Sequence, residues 1–234
     1  MRRAQLLGAA VAVAMGIPAV GAAQDTSRAV RGGGIAVAGW AGKIDAREAA
    51  AGQKLENARF VKEGNALHVT TGPAVTYWHP SNRATGDYTV RATFREPKYM
   101  ALNNHPHPYG IVIGGSGLGT EQQRYLYCAA YGSGRFIMRG FGPTPFQLNG
   151  RGEEHAAIKK ASGAGAEVTQ EIAVTVRGDK VECAINGSVV GSWDKAAVVG
   201  DGKLASTDGL YGLRFGHNTE AFVTGLKLEK GAKK

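Results

Sequence analysis

The stretch that decides the fold covers residues 124–141 and reads RYLYCAAYGSGRFIMRGF. Two segments in which polar and apolar residues alternate flank a Gly-Ser-Gly turn, which predicts a β-hairpin. A two-residue loop would mix polar and apolar side chains on both faces, so a three-residue loop with Gly134 in the left-handed conformation is favoured. That register predicts three cross-strand pairs: Tyr131–Arg135, Tyr127–Arg139 and Tyr125–Phe141.

The predicted hairpin has two chemically different faces. One face carries apolar or small residues and is expected to join the core. The other presents tyrosines and arginines, which offer both stacking surfaces and hydrogen bonds to a flat polar ligand such as a sugar. The alternative is that long loops cover this face and that the tyrosine hydroxyls find partners within the protein. We name the predicted ligand-binding surface the tyrosine–arginine face: Tyr125, Tyr127, Tyr131, Arg135 and Arg139.

Residues 1–23 predict an export signal that is removed. Met1-Arg2-Arg3 gives a positive start, residues 6–20 are mostly apolar, and Ala22-Ala23 ends a small-residue cleavage site. The apolar run is too short for a comfortable membrane span, and no other segment approaches the roughly 18 apolar residues that a span needs. We therefore expect residues 24–234 to be periplasmic or secreted, without a membrane span.

The charge balance does not point to nucleic acid. The formal net charge is +9, and lysines cluster in residues 227–234. A basic protein can bind nucleic acid or an anionic polysaccharide, but no basic-aromatic motif of a known nucleic-acid-binding module is present. We interpret residues 227–234 as a solvated basic tail and predict no nucleic-acid partner.

The remaining chain predicts a single all-β domain over residues 24–234. Short alternating segments recur between turn signals, and Asn186-Gly187 is the strongest two-residue hairpin signal because both residues tolerate positive φ. Helix is predicted only within residues 46–55 and 192–198. About a dozen short strands with glycine-rich turns favour a β-sandwich over alternating β/α units. Predicted strands include 66–71, 75–79, 88–94, 109–114, 172–176, 181–185, 189–193, 210–215 and 222–228.

Two cysteines in an exported chain raise the question of a disulfide. Cys128 lies on the apolar face of the hairpin, and Cys183 shares a strand face with Val181 and Ile185. Both thiols are therefore expected to point into the core. They either form a bridge or remain two small buried apolar residues.

A series of short motifs carries a resemblance to a known superfamily. In chain order they are Gly39-Trp40, residues 72–78 (GPAVTYW), residues 86–90 (GDYTV), residues 105–110 (HPHPYG), the tyrosine-rich hairpin, Asn186-Gly187 and residues 209–214 (GLYGLR). Over about residues 40–228 the chain resembles the concanavalin A-like jelly-roll superfamily and, within it, small exported bacterial proteins distantly related to the 3-keto-disaccharide hydrolase domain. The resemblance implies a sandwich of two antiparallel sheets. The superfamily contains lectins, glycosidases, polysaccharide lyases and domains without a known ligand.

The acidic residues do not reproduce the carboxylate pair of the laminarinase-like glycosidases in this superfamily. Those enzymes carry Glu-x-Asp-x-x-Glu on one strand face, and retaining hydrolysis needs carboxyl groups about 5–5.5 Å apart. The nearest acidic pair here, Glu153-Glu154, lies in a predicted loop with adjacent side chains pointing different ways. We predict no catalytic residue of this kind.

Two histidines, His105 and His107, flank Pro106 in a predicted loop. A His-x-His pair can chelate a transition metal, with His79 or His217 available as a third ligand. The same sequence also suits an ordinary rigid loop, so we predict no metal and no cofactor.

Trp78 and His79 end a predicted strand before Pro80, where an aromatic ring can be exposed as a stacking surface. The alternative places the tryptophan in the core. Trp78, His79, His105 and His107 are all predicted to lie at the rim of the tyrosine–arginine face.

Three functions follow from these observations. The favoured one is an exported domain that binds carbohydrate or a similar cell-envelope ligand on a concave face without catalysis. The second is a glycoside-processing enzyme in which His105 or His107 acts as a general base or metal ligand and Arg135 or Arg139 stabilises negative charge. The third is a structural envelope domain with no small ligand. The sugar, the partner and the oligomeric state do not follow from the sequence.

Overall fold

A computed structural model describes residues 27–150 and 152–231 as two packed eight-stranded β-sheets. The predicted all-β sandwich is confirmed. The strand order of the first sheet is β1-β3-β4-β16-β6-β12-β13-β14, and its pairs are antiparallel except β1 with β3. Its bounds are β1 Gly34–Ile35, β3 Ala58–Glu63, β4 Ala66–Thr71, β6 Tyr88–Glu96, β12 Val168–Arg177, β13 Lys180–Ile185, β14 Ser188–Asp194 and β16 Glu220–Lys230.

The second sheet carries the predicted hairpin near one edge. Its strand order is β10-β9-β8-β7-β15-β5-β2, and β11 also pairs with β9. Its bounds are β2 Ala41–Ile44, β5 Val75–Ala84, β7 Tyr109–Ser116, β8 Arg124–Tyr131, β9 Arg135–Phe141, β10 Phe146–Gln147, β11 Glu153–Glu154 and β15 Gly209–Phe215. Short helices occur at α1 Ala46–Ala50 and α2 Lys195–Val198, within the predicted helical segments.

The core lies between the sheets and follows from strand alternation. In β6, Tyr88, Val90, Ala92 and Phe94 are buried while the intervening residues are half-buried. Alternate side chains of a strand point to opposite faces, so each sheet contributes one apolar face. These faces form a single cluster of buried residues.

The hairpin register is confirmed in every pair. Tyr131 lies opposite Arg135, Tyr127 opposite Arg139 and Tyr125 opposite Phe141. Gly134 has a φ of +88°, as a three-residue loop requires. The Asn186-Gly187 turn is confirmed as well, with φ angles of +51° and +83°.

Strand β5 is longer than predicted. It continues through Pro80 to Ala84, although proline cannot donate a ladder hydrogen bond. The pairing with β15 shifts between Leu210 and Gly212, and residues 79–82 of β5 have no partner in that register. Pro80 is tolerated because it lies within this irregularity.

A disulfide joins the two sheets. Cys128 on β8 is bonded to Cys183 on β13, and both residues are fully buried. Of the two alternatives left open by the sequence, the bridge is the correct one.

The structure describes only part of the two chain ends. Strand β16 includes Lys227 and Lys230, and both lysines are exposed to solvent. Residues 1–26 and 232–234, which include the predicted export signal, lie outside the described residues. Within residues 27–150 and 152–231, no helix has the length and apolar character needed to cross a membrane.

Candidate functional site

The outer face of the second sheet, which points away from the first sheet, carries the tyrosine–arginine face. Leu126, Cys128 and Ala130 of β8 belong to the core between the sheets. Tyr125, Tyr127 and Ala129 alternate with them, and form a separate apolar cluster. The alternation of β8 therefore places the tyrosines on the predicted side.

Two of the three tyrosines are buried on that face. Tyr125 is 0% exposed and Tyr127 is 4% exposed. Phe141 stacks against Tyr125 with ring centroids 4.9 Å apart, and it also stacks against Tyr127 at 6.3 Å. The prediction that Tyr125 and Tyr127 form an open platform is wrong, because neighbouring side chains cover both rings.

A buried ion pair lies beside these rings. Arg214 on β15 donates two hydrogen bonds to Asp45, from Nη1 to Oδ1 at 2.6 Å and from Nη2 to Oδ2 at 2.5 Å. Its Nη1 also donates to Thr76 Oγ1 at 3.2 Å, and Thr76 donates to the Tyr125 hydroxyl at 3.1 Å. The guanidinium lies 5.7 Å from the Tyr127 ring centroid. The tyrosine hydroxyl thus finds its partner within the protein.

Arg214 keeps its charge despite burial. Burial alone would lower the pKa of Arg214, but the Asp45 carboxylate outweighs that effect and raises it. Burial raises the pKa of Tyr125 to about 12. The cationic Arg214 and the neutral tyrosine therefore persist through the neutral pH range.

The loop of residues 117–123, between β7 and β8, packs against the same face. Leu118 contacts the aromatic cluster, and the Trp78 ring lies against Gly119. Lys43 Nζ holds the loop by donating to Thr120 O and to a Glu121 carboxylate oxygen, each at 2.7 Å. Trp78 is only 7% exposed, so the expectation of an exposed stacking ring is wrong.

Four side chains that the hairpin of β8 and β9 presents on the outer face remain open to solvent. Arg135 is exposed, whereas Tyr131, Arg139 and Phe141 are half-buried. The Arg139 guanidinium lies 5.1 Å from the Phe141 ring centroid, and Arg135 pairs with Glu154 at 3.4 Å. We call Tyr131, Arg135, Arg139 and Phe141 the arginine stripe.

The predicted rim residues separate into two groups. His79 packs edge-on against Trp40, and its Nδ1 lies 2.6 Å from Ser81 Oγ. His105 and His107 instead lie next to His217, just beyond the ends of β7 and β15. Since β15 ends opposite Val75 at the start of β5, His79 is four residues, or about 13 Å, further along that strand. The structure does not bring the four predicted rim residues together.

A cleft of about 290 Å³ lies between strands of the two sheets beyond His79. Its lining includes two half-buried aromatic side chains, Trp40 and Tyr211, and two amides, Asn65 and Asn82. Aromatic rings with nearby amides can bind sugars, so this cleft is a second place where a ligand could contact the protein.

A buried carboxyl group lies at the end of β6. Burial raises the pKa of Glu96 to about 7. The residue lines a water-sized cavity of about 10 Å³ together with His107 and Asn103. A cavity of this size has no room for a sugar ring.

Sequence reasoning missed Arg214 and Asp45 as parts of this surface. Arg214 stands between the core residues Leu213 and Phe215, so alternation alone indicates that it points to the outer face. Its contact with Asp45 depends on the order β15-β5-β2, which no local pattern reveals.

Neither a protein-family model nor a curated protein sequence matches the chain. Solved structures do. The carbohydrate-binding module CBM66 from Bacillus subtilis aligns with a TM-score of 0.54 and 8% identity, over 82% of this chain and 96% of that one. A Bacillus subtilis protein of unknown function with a galectin-like fold aligns with a TM-score of 0.56 and 10% identity, over 83% and 90% of the two chains. The fold is that of the concanavalin A-like jelly rolls.

A third solved structure shows the same fold. The exoplasmic/lumenal domain of VIP36, in its Ca²⁺/Man-bound form, aligns with a TM-score of 0.53 and 8% identity, over 84% of each chain. Identities of 8–10% establish a shared fold and nothing about shared site residues. The jelly-roll resemblance inferred from the motifs is therefore confirmed at the level of the fold.

Proposed function

We propose that the mature chain is an exported carbohydrate-binding domain that acts without catalysis, and that the arginine stripe contacts the ligand. The observation that carries this proposal is the stripe itself. It combines two arginines with two partly open aromatic rings on the paired strands β8 and β9 of the outer face.

The chemistry of the stripe suits sugars. Arginine donates several hydrogen bonds in a fixed plane, and aromatic rings pack against the apolar face of a sugar ring. Among the described residues, Arg135 of the stripe pairs with Glu154, whereas Arg139 contacts Phe141 and Tyr127 and has no carboxylate partner. A glycan that carries carboxylate groups fits this charge best, because carboxylates accept paired hydrogen bonds from arginine.

The comparisons support a sugar ligand without assigning it. CBM66 is described as a carbohydrate-binding module, and VIP36 was determined with mannose. A shared fold does not by itself imply a shared function, so the stripe must be tested directly.

The test is a glycan array that includes acidic polysaccharides, probed with residues 24–234. Arg139→Ala and Tyr131→Ala should each weaken binding to the best glycan by about 1–3 kcal/mol, as anchoring residues of these types often do. Arg177→Ala is the matched control, because Arg177 is exposed on β12 of the other sheet. Thermal melting should change little in all three variants.

Four outcomes would contradict the proposal. If Arg139→Ala, Tyr131→Ala and Arg177→Ala bound the glycan with equal affinity, the arginine stripe would not be the ligand-binding site. Loss of binding on Tyr211→Ala alone would move the site to the cleft near Trp40. Turnover of a bound glycoside would favour the enzyme alternative, and no glycan binding at all would favour the structural one.

A further inference from the structure

Three histidines from two separate segments come together just beyond the ends of β7 and β15. Tyr109 lies opposite Phe215 in the antiparallel pair, and Gly216 N donates to Pro108 O at 2.7 Å. Continuing that register places His107 opposite His217. His105 lies two residues before His107, so an extended segment returns it to the same side.

The imidazole rings are close enough to share one ion. One ring nitrogen of each histidine lies within 4.8 Å of one ring nitrogen of the other two. Ring centroids are 3.9 Å apart for His107 and His217, and 4.3 Å apart for His105 and His107. Tetrahedral Zn²⁺ with bonds of about 2.0–2.1 Å needs ligand nitrogens about 3.4 Å apart. The ring nitrogens would move closer together to reach that geometry.

Second contacts orient two of the rings. The Nδ1 atom of His217 lies 3.4 Å from Glu48 Oε1, and the Nδ1 atom of His105 lies 2.7 Å from Asn104 Oδ1. The Glu48 carboxylate favours the tautomer of His217 with its hydrogen on Nδ1, which leaves the lone pair of that ring on Nε2. Ligating histidines are commonly held by a carboxylate or carbonyl in this way.

Glu48 is itself fixed. Its Oε2 accepts a hydrogen bond from Ser27 Oγ at 2.8 Å, and its Oε1 accepts one from Ala74 N at 3.4 Å. The carboxylate therefore has a defined position from which to hold His217.

Two ring nitrogens of the cluster are buried polar atoms. Nε2 of His107 and Nε2 of His217 are both buried, with no hydrogen-bond partner among the described residues. A buried polar atom without a partner costs about 1–3 kcal/mol. Burial first, and then the neighbouring His217 and His105, lower the pKa of His107 to about 3.

From this arrangement we propose that His105, His107 and His217 form a binding site for a divalent transition-metal ion, with Zn²⁺ as the preferred ion. Imidazole nitrogens are typical Zn²⁺ ligands, and three protein ligands leave a fourth position for water or another small ligand. His105 is exposed whereas the other two are half-buried, so the fourth position faces solvent on the His105 side. This inference goes beyond the proposed carbohydrate binding and does not depend on it.

The test uses Zn²⁺ as the probe, titrated calorimetrically into untagged residues 24–234 after treatment with EDTA. Co²⁺ serves as a second probe, because a tetrahedral site gives it strong visible absorption. We expect one ion per chain. His105→Ala, His107→Ala and His217→Ala should each raise the Kd at least about 100-fold, and Glu48→Gln should raise it about 10- to 100-fold.

His155→Ala is the matched control. His155 is a loop histidine whose Nδ1 accepts a hydrogen bond from Ala157 N at 3.2 Å, and it is no member of the cluster, so its replacement should leave the Kd unchanged. His105 is the exposed member, and its variant decides the question if either of the other two fails to fold.

The proposal is overturned if Zn²⁺ binds with a Kd above about 1 mM, or if His105→Ala binds as tightly as the parent protein. It is also overturned if His155→Ala loses as much affinity as the cluster variants. None of these three results would affect the carbohydrate proposal, whose stripe variants at Tyr131 and Arg139 lie on β8 and β9.

Discussion

Arg214 shows how a single residue can escape prediction although its sequence context is simple. The alternation of Leu213, Arg214 and Phe215 places the arginine on the outer face. Its partner Asp45 is 169 positions away in sequence, and only the complete strand order brings them together. Strand alternation therefore indicates the direction of the Arg214 side chain but not its burial.

Glu96 gives a test at the level of one titrating group. Its carboxyl group has a pKa of about 7 in the folded protein because it is buried, against an ordinary value of 4.5. Between these two values the folded state holds a proton that the unfolded chain has lost. Glu96 therefore makes the free energy of unfolding fall as the pH rises from about 4.5 through 7.

Glu96→Gln should remove this dependence. The difference in the free energy of unfolding between the parent and the variant should change by up to about 3 kcal/mol between pH 4 and pH 8, in favour of the variant at high pH. Urea denaturation of EDTA-treated protein at several pH values measures it, since a metal ion on His107 would disturb the same cavity. Parallel pH profiles for the two proteins would show that the carboxyl group is not held neutral.

At the level of elements, local sequence patterns correctly predicted the features that depend on neighbouring residues, such as the register of the hairpin. The alternation in residues 124–141 and the positive φ of Gly134 determine a register that the structure reproduces pair by pair. The extension of β5 through Pro80 was missed, because it depends on a shift in the pairing with β15. The burial of Tyr127 was missed for a similar reason, since Phe141 and the 117–123 loop cover the outer face.

The disulfide is the element-scale feature with the largest expected effect on stability. Cys128 and Cys183 are separated by 55 positions in sequence. Closing a loop of this length in the unfolded chain stabilises the folded state by roughly 4 kcal/mol in the chain-entropy model. Reduction should therefore lower the free energy of unfolding by roughly 4 kcal/mol. The melting temperature and the urea midpoint should both fall as a result.

Thiol titration under denaturing conditions provides the independent check on the bridge. The oxidised protein should show no reactive thiol, and the reduced protein should show two. Two titratable thiols in freshly isolated exported protein would contradict the bridge.

At the level of the whole molecule, the proposal of export can be tested on the N-terminus of the mature protein. If residues 1–23 are a cleaved signal, protein recovered from the periplasm or medium should begin at Gln24. Mass spectrometry of the intact chain and N-terminal sequencing distinguish this product from the full-length chain. Cytosolic protein that retains Met1 would contradict the proposal, with a cytosolic marker enzyme as the control for leakage.

At the scale of the whole molecule, the sequence predicted the fold best and the location of the candidate ligand site least well. Strand alternation and turn residues are sufficient to indicate a sandwich, because each acts over a few positions. The arginine stripe and the three-histidine cluster depend on how distant strands and loops meet. The sequence named His105, His107 and His217 as candidates, but only the pairing of Tyr109 with Phe215 selects His217 over His79.

The position of the disulfide has a consequence for how any ligand would bind. Cys128 lies on β8 between Tyr127 and Ala129, whose side chains form part of the outer face. The disulfide to β13 therefore holds the second sheet from its core side, directly beneath the outer surface next to the arginine stripe. The shape of that surface is set when the bond forms, before a ligand arrives. A sugar polymer would then meet a preorganised surface, and little backbone entropy would be lost on association.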